Sequence, residues 1–319
     1  MKFNSSYIFV KRSIPLYFIL LGIFVVASAS TDHFFTSENI LNVLVQLSPL
    51  LVVACGQTFV VLLQGIDISV GAVASLTTTV LALGSFEHFF GAWGPMFLIV
   101  VLGVAIGFLN GLMIYKGVTP IIMTLGSSVL VKGIALGLRP VPGGNVSFTI
   151  AEFFCKELGW IFSVPFLISI TWFSILAFLL HFTRFGKYVY ATGADRDVSN
   201  KAGINTMKIT ILAYILSSVS GVLAGLLLVG QIWSGDALIG EKLSLDSVTA
   251  VLVGGTTFEG GVGGLFGTLA GAFILSIMSN VLNMMNIFSY YQYVIKGLIL
   301  IFSIFLSLRL SSRKEKSIR

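Results

Sequence analysis

Long apolar segments follow one another along this 319-residue chain, and most of them are long enough to cross a bilayer as a helix. A spanning helix needs about 20 predominantly apolar residues. Hydrophobic residues make up 56% of the chain and charged residues only 10%, whereas a soluble domain carries about a quarter charged residues. The sequence therefore predicts an all-α polytopic membrane protein and argues against a soluble domain.

Ten spans are predicted. In chain order they cover Ile14–Ser30, Leu41–Gln64, Ile68–Leu83, Trp93–Tyr115, Pro120–Leu138, Ile161–His181, Ile209–Trp233, Leu245–Val253, Gly264–Met285 and Tyr290–Leu308. The third is short and interrupted by glycine, and the eighth is expected to be short or broken. If spans two to five and seven to ten form an inverted repeat, these two short spans are equivalent, each headed by an aspartate, Asp67 or Asp246.

Basic residues indicate the orientation of the chain, because cytoplasmic segments next to spans are enriched in Lys and Arg. With the N-terminus inside, external segments contain only Arg139, Lys156 and Lys242 of the 19 basic residues. Both termini are therefore expected to be cytoplasmic. The prediction is a single transmembrane domain with a cytoplasmic N-terminus (1–13), a cytoplasmic loop (183–208) and a basic tail (309–319).

The first span has an alternative, since its basic flank and the small residues "VASAS" also resemble a cleaved signal peptide. Retention as a span is favoured, because positive flanking charge and nine later spans are sufficient for a signal anchor.

A carboxylate in "QGIDISVG" enters this apolar setting at Asp67. One interpretation makes it a helix cap, since an acid at a helix start accepts free N–H groups and faces the positive end of the helix dipole. The other makes it a direct contact for substrate or an ion. Gly65 and Gly71 are expected to let the backbone turn tightly before the helix.

Amide side chains are the other candidates for a polar pathway, because an amide in lipid either bonds to another helix or lines an aqueous cavity. The candidate pathway residues are Gln57, Gln64, Asp67, Asn110, Asn280 and Asn283. Lys132 and Lys296 are expected to extend towards the membrane interface, with ion pairing to the aspartates as the alternative.

The remaining patterns give no catalytic, metal or cofactor site. The three histidines stand at no ligand spacing, and no nucleophile–base set appears in a motif context. "GGTTFEGGVGG", from Gly254 to Gly264, lacks the G-x-x-x-x-G-K-[ST] arrangement of a P-loop. It is predicted instead to be a tight turn with close backbone packing.

A docking surface is predicted in the long cytoplasmic loop. Asp195–Ala202 is expected to form a short helix along the membrane surface, with Gly193 and Gly203 as its boundaries. Tyr188 and Val198 are apolar side chains that a plain solvated loop would not need.

Four motifs in order carry a resemblance to a known family. They are "GQTFVVLLQGIDISVGAVASL", "FLNGLMIYKGVTPIIMTLGSSVLVKGIAL", "TRFGKYVYATGADRDVSNKAGIN" and "LDSVTAVLVGGTTFEGGVGGLFGTLAGA". From the second span to the tenth, the chain resembles the permease subunits of bacterial ribose-type ABC importers. It departs from the family at Ser244, where an acid is usual, and at Val198 and Ser199, where alanines are usual.

This resemblance implies a bacterial cytoplasmic membrane protein with no enzymatic activity or cofactor of its own. The implied partners are a cytoplasmic ATPase, an extracytoplasmic sugar-binding protein and a second permease copy in a homodimer, with no nucleic acid. The implied ATPase-coupling residues are Gly193, Ala194, Asp195, Val198, Ser199, Ala202 and Gly203.

The favoured function is therefore translocation of a monosaccharide, a ribose-like pentose, by ATP-driven alternating access. Within the importer class the alternative cargoes are a nucleoside, another small furanosyl solute and a branched-chain amino acid. An ion-coupled secondary carrier, with Asp67 as a proton or Na⁺ site, is the rival from another class.

Overall fold

The computed structural model describes residues 34–84, 91, 93–159 and 162–318, with scattered positions between 17 and 28 and with side chains up to residue 305. Most of the first predicted span, Ile14–Ser30, and the predicted cytoplasmic N-terminus therefore lie outside the described residues.

Helices account for nearly all regular structure in these ranges. In chain order they are α1 (Ser37–Leu62), α2 (Ser69–Leu81), α3 (Gly94–Tyr115), α4 (Pro120–Leu138), α5 (Phe148–Cys155), α6 (Val164–Phe182), α7 (Arg184–Ala194), α8 (Arg196–Lys201), α9 (Thr206–Ile232), α10 (Glu241–Val253), α11 (Leu265–Met284) and α12 (Ser289–Ile318). The described β-structure is limited to isolated bridges, Gly143 with Gly235 and Glu157 with Ser163. The all-α prediction is confirmed for the described part.

Six helices of the described part are long and apolar enough to cross a membrane: α1, α3, α4, α6, α9 and α11. The most apolar windows of α1, α9 and α11 are 83%, 72% and 61% buried, whereas those of α3, α4 and α6 are only 33%, 22% and 39% buried. Helices α1, α9 and α11 thus lie in the core, and α3, α4 and α6 expose apolar side chains suited to lipid.

Glycines set the contact between α3 and α9. Gly103, Gly107 and Gly111 lie one turn apart on α3, and a Cβ on Gly107 would lie 2.6 Å from the Tyr214 carbonyl oxygen. Small residues at four-residue spacing let two helix backbones approach closely in a membrane. This approach brings Asn110 of α3 and Tyr214 of α9 into the same buried region.

The two short helices α2 and α10 have 13 residues each, as predicted for spans three and eight. However, α10 begins at Glu241, so Asp246 lies in its second turn, and the expectation that Asp246 heads the helix is wrong. The helix starts earlier because Gly240 packs on Gly71 of α2, its N–H donates to Ser75 Oγ at 2.9 Å, and an acid in the first turn suits the helix dipole.

Gly65 and Gly71 do not provide the turn that was expected of them. Within the described residues of this break, Gln64 is the one with positive φ, at 64°. The two glycines are needed for space instead. A Cβ on Gly65 would lie 2.3 Å from the Tyr214 hydroxyl, and one on Gly71 would lie 2.3 Å from the Gly240 carbonyl oxygen.

Three elements differ from the sequence prediction. The amphipathic helix α5 was not predicted, and it buries Ile150 and Phe154 against α9. Residues 183–208 are mostly helical, in α7 and α8, rather than a loop with one short helix. Helix α12 continues to Ile318, through most of the predicted basic tail.

Candidate functional site

The break between α1 and α2 places Asp67 in a fully buried position. Its Oδ1 atom accepts hydrogen bonds from the Ser69 backbone N–H at 2.9 Å and from Ser69 Oγ at 2.5 Å. This contact supports the interpretation of Asp67 as a helix cap, because it satisfies a free N–H at the start of α2 and places the carboxylate at the positive end of the helix dipole.

Two predicted amides join Asp67 at this break. In the amide orientation that satisfies both ends, Gln57 accepts from the Asp67 N–H at 3.0 Å and donates to the Asp67 carbonyl at 3.2 Å. Asn110 Nδ2 donates to Ser69 Oγ at 3.0 Å. Gln57, Asp67 and Asn110 therefore form one buried cluster that fixes the start of α2 between α1 and α3.

Helix α9 closes the cluster from the other side with two buried residues, Tyr214, whose hydroxyl packs on Gly65, and Ser217, whose backbone packs on Gly56. Sequence analysis missed Ser69, Tyr214 and Ser217. The spacing of Asp67 and Ser69 is a signal that could have found the first, since Asp side chains often bond to the backbone two residues on. Nothing in the sequence connects α9 to this break, because that contact depends on helix packing.

Gln64 points away from this cluster. Its Nε2 atom donates to the Gly193 carbonyl at 2.9 Å and to the Glu259 carbonyl at 2.8 Å. These acceptors belong to the last turn of α7 and to the glycine-rich turn between α10 and α11. Gln64 thus contacts the predicted coupling segment rather than the other pathway candidates.

An open cleft of about 560 Å³ lies beside the break. Its lining residues are Gln64, Ile66, Thr119, Pro120, Ile121, Ile122 and Phe258. The volume falls within the range of about 300–1,000 Å³ typical of small-molecule sites. Thr124 Oγ1 donates to the Ile66 carbonyl at 3.0 Å, which ties the cleft wall on α4 to the break.

Asn280 and Asn283 lie away from the break. Asn280 exchanges two amide hydrogen bonds with Asn39 of α1, at 2.8 and 3.2 Å. Asn283 accepts from Gln292 of α12 at 2.7 Å and is solvent-exposed, unlike the buried Asn280. Both amides hold neighbouring segments together, and they do not face a common cavity.

Both intramembrane lysines are paired with carboxylates of α10. Lys296 Nζ lies 2.6 Å from Asp246 Oδ2, with both side chains more than 80% buried, and Lys132 contacts Glu241 with both side chains far more exposed. For Lys296 the structure therefore shows the alternative, ion pairing to an aspartate, and not the favoured extension to the interface. Because Asp246 is partly buried, pairing with the cation offsets part of its desolvation cost.

The predicted coupling segment consists of α7 and α8, which meet at Asp195. Asp195 Oδ1 accepts from the Val198 N–H at 2.9 Å as the N-cap of α8, and Gly203 follows the C-cap Ala202 with φ 83°. The predicted short helix is confirmed within this segment. An acidic N-cap begins it and a left-handed glycine ends it, as is common for helices.

Gly193 is not the boundary that was expected, because it lies with Ala194 in the last turn of α7 and is buried. A Cβ on Gly193 would lie 1.9 Å from the Leu62 carbonyl oxygen, so glycine is required by the approach of α7 to α1. Val198 is 60% exposed, whereas Ser199 is 4% exposed.

Two contacts that sequence analysis missed anchor this segment. Arg196 stacks over the Tyr115 ring, with its Cζ 4.3 Å from the ring centroid, and donates to the Tyr115 carbonyl at 2.8 Å. Tyr190 donates its hydroxyl to the Gly263 carbonyl at 2.9 Å. Burial raises the pKa of the Tyr190 phenol above its ordinary value, so the hydroxyl remains a donor.

The glycine-rich turn has the close backbone packing that the sequence predicted. Gly255, Gly260, Gly261 and Gly263 all have positive φ, and the Gly261 N–H donates to the Leu62 carbonyl at 2.9 Å. Among the residues that the structure describes, no group of three His, Cys, Asp or Glu side chains could hold a metal ion.

Comparison with known proteins gives matches over nearly the whole chain. The model of the family described as branched-chain amino acid transport system / permease component matches residues 39–304. The ribose import permease protein of Haemophilus influenzae is 34% identical over 316 residues, covering 95% of this chain and 94% of that relative. The ribose import permease protein of Bacillus subtilis is 32% identical, with 92% of each covered.

A relative named for a different sugar matches almost as well. The galactose/methyl galactoside import permease protein of Salmonella typhimurium is 31% identical over 325 residues, covering 94% of this chain and 95% of the relative. No solved structure gives a significant match to the chain.

Proposed function

This chain belongs to that permease family, and we propose that it is the membrane-spanning subunit of an ATP-driven importer for a monosaccharide. It is a multi-pass protein of the bacterial cytoplasmic (inner) membrane, given its family, its import-permease relatives and its six span-length helices. Hydrolysis of ATP is assigned to a separate cytoplasmic ATPase subunit. A ribose-like pentose is the favoured cargo, because several relatives are named as ribose import permeases.

The geometry of α8 is the observation that carries this proposal. A helix of only six residues is capped at both ends, held to α3 by Arg196 and left with Val198 exposed. A short rigid helix with an exposed apolar residue suits a docking site for a soluble partner that must push on the membrane helices. We assign the ATPase contact to α8 and the last turn of α7.

Helix lengths support an inverted repeat of α1–α4 and α9–α12. The first helix of each set is long, at 26 and 27 residues, and the second is short, at 13 residues in both. In both sets the third helix is of span length, at 22 and 20 residues. The packing is reciprocal as well: α1 contacts α10 and α11, while α9 contacts α2 and α3.

Helices α3 and α11 end alike, in a left-handed turn that also ends α1, α8 and α10. Gly117 follows α3 with φ 108°, and Asn286 follows α11 with φ 56°. The next residues, Val118 and Ile287, each donate their N–H to the carbonyl five residues back, at 3.1 and 2.9 Å. We propose ten spans with both termini cytoplasmic, since paired short helices in repeated halves are typical of transport pathways at a repeat interface.

Alternating access is the proposed mechanism. An extracytoplasmic binding protein delivers the sugar, ATP closes the two ATPases, and α7 and α8 carry that movement to the break between α1 and α2. The cleft beside Gln64 and the buried cluster around Asp67 are the proposed parts of the pathway. Two copies of the chain are proposed to form the complex, which co-purification of differently tagged copies would test.

Uptake of labelled ribose by vesicles containing the chain, its co-encoded ATPase and its binding protein tests the function. We expect uptake that requires ATP and is lost in Val198→Glu, which adds charge to the exposed face of α8. Val118→Glu is the matched control, because Val118 is also an exposed valine, at 38%, but lies outside α7 and α8.

The alternatives give different results in the same assay. ATP-dependent uptake of a nucleoside but not of ribose would reassign the cargo within the importer class. Uptake by the chain alone, driven by an ion gradient and abolished by Asp67→Asn, would establish a secondary carrier and overturn the proposal.

A further inference from the structure

Gln64 has a backbone conformation that is unusual for its residue type. It follows the C-cap of α1 with φ 64°. The next N–H, that of Gly65, bonds back to the Val60 carbonyl at 2.9 Å. Glycine and asparagine are the residues that favour this left-handed position. A glutamine here suggests that its side chain makes contacts that offset the cost of the backbone conformation.

Those contacts use both N–H groups of one amide. Gln64 Nε2 bonds to the carbonyls of Gly193 and Glu259, which are 129 and 195 residues away in sequence. The Gly193 carbonyl lies in the last turn of α7, where carbonyls have no partner within the helix. One side chain just after α1 therefore joins the proposed ATPase-docking segment to the glycine-rich turn.

The three backbones at this junction are in direct contact. A Cβ on Gly193 would lie 1.9 Å from the Leu62 oxygen, and one on Gly260 would lie 2.4 Å from the Gly193 oxygen and 2.6 Å from Gln64 Cγ. Close-packed groups transmit displacement because they have no free volume to absorb it. Movement of the last turn of α7 must therefore displace the end of α1 or the glycine-rich turn.

On its other side, Gln64 is close in sequence to the buried cluster. Only Gly65 and Ile66 separate it from Asp67, whose backbone is held by Gln57 and whose carboxylate caps α2. Space at Gly65 is filled by the Tyr214 hydroxyl. This short, tightly held connection leads directly from the junction to the first turn of α2.

We propose that Gln64 is a positioning residue for transport, whose amide transmits movement of α7 and α8 to the Asp67 break and so to α2. The inference rests on the proposed function, because it assumes that an ATPase moves α7 and α8. It assigns Gln64 to energy coupling, in addition to its place at the edge of the cleft. Loss of the amide should therefore separate ATP hydrolysis from sugar movement.

Gln64→Gly tests this role, because glycine adopts the left-handed conformation and removes only the side chain. Asn286→Gly is the matched control, since Asn286 also has positive φ just after the C-cap of a helix but lies away from the junction. A second variant, Gln64→Glu, keeps the length of the side chain and places acceptors against two carbonyl acceptors.

The readout is the amount of labelled ribose taken up per ATP hydrolysed by the vesicle-reconstituted complex. We expect Gln64→Gly and Gln64→Glu to retain ATP hydrolysis within about 2-fold and to lose uptake per ATP by about 5-fold or more, with Asn286→Gly unchanged. Wild-type uptake per ATP in both Gln64 variants would overturn the inference while leaving the importer intact. A wild-type complex without ATP-dependent uptake would instead contradict the proposed function.

Hydrogen–deuterium exchange on the purified full-length chain tests the junction without ATP. We expect Gln64→Gly to speed exchange of amides at both sides of the junction, in residues 191–195 and 65–69, by about 5-fold or more relative to Asn286→Gly. Unchanged exchange in either segment would overturn the proposal, because the amide would then not hold the two sides together.

Discussion

The crossing of α2 and α10 depends on two glycines in backbone contact, and Gly71→Ala perturbs it most directly. A Cβ on Gly71 would lie 2.3 Å from the Gly240 oxygen and 2.4 Å from Ser244 Oγ. Ordinary contact begins near 3.4 Å, so the two helices must separate by about 1 Å. Because one partner is a backbone carbonyl, rotation of a side chain cannot relieve the clash.

Two effects of the added methyl group destabilise the fold, and one stabilises it. Overpacking a well-packed contact costs about 1–3 kcal/mol. Separation also weakens the bonds from the Gly71 N–H to Ser244 Oγ at 3.2 Å and from the Gly240 N–H to Ser75 Oγ at 2.9 Å, each worth about 1 kcal/mol. The better helix propensity of alanine returns about 1 kcal/mol. With both bonds lost, we expect Gly71→Ala to lower the free energy of unfolding by about 2–4 kcal/mol.

Gly133→Ala is the control, because Gly133 also lies inside a helix, α4, and a Cβ there would meet nothing within 4 Å. It should be neutral or stabilising by up to about 1 kcal/mol. Unfolding in mixed micelles with increasing SDS, followed by the fluorescence of the four tryptophans, compares the two variants.

Equal or greater stability of Gly71→Ala than of Gly133→Ala would refute the reasoning. Gly240→Ala supplies a second test, because a Cβ on Gly240 would lie 2.2 Å from the Gly71 oxygen. The two single variants force apart the same pair of helices, so the double variant should cost less than their sum. Simple additivity would contradict a shared contact.

The same unfolding assay tests three further contacts. Lys296→Met leaves a partly buried carboxylate unpaired and should cost about 2 kcal/mol. Lys132→Met breaks an exposed pair and should cost less than about 1 kcal/mol. Equal costs would contradict the difference in burial. Asn280→Leu should cost about 1–3 kcal/mol, and the double variant with Asn39→Leu should cost less than the two single variants together, because each single change already breaks both bonds of the pair. Simple additivity of the two single costs would refute reciprocal pairing. Tyr190→Phe should cost about 1 kcal/mol by leaving the bond to a backbone carbonyl unmade; an unchanged midpoint would show that this bond adds no net stability.

Local sequence was sufficient for the span-length helices and for some of the helix ends. The predicted bounds of Pro120–Leu138 coincide with α4, and the short helix after Asp195 was predicted with Gly193 and Gly203 as its boundaries, of which Gly203 is confirmed. Apolar length and capping residues act within one or two turns of chain, so they can be read without knowing any neighbour. The resemblance to import permeases, carried by four local motifs, likewise followed from the sequence and is confirmed by the relatives.

The roles of individual polar residues and glycines were decided only by tertiary structure. An amide in an apolar helix shows that a polar partner is needed, but not whether that partner is another helix or a cavity. Gln57 and Asn110 share the Asp67 cluster, whereas Gln64 joins segments more than a hundred residues away. Gly71 is required by the backbone of Gly240 rather than by a turn. The sequence by itself determined that these residues lie in or next to membrane helices, and packing determined what each one contacts, because a contact between distant segments depends on both of their positions in space.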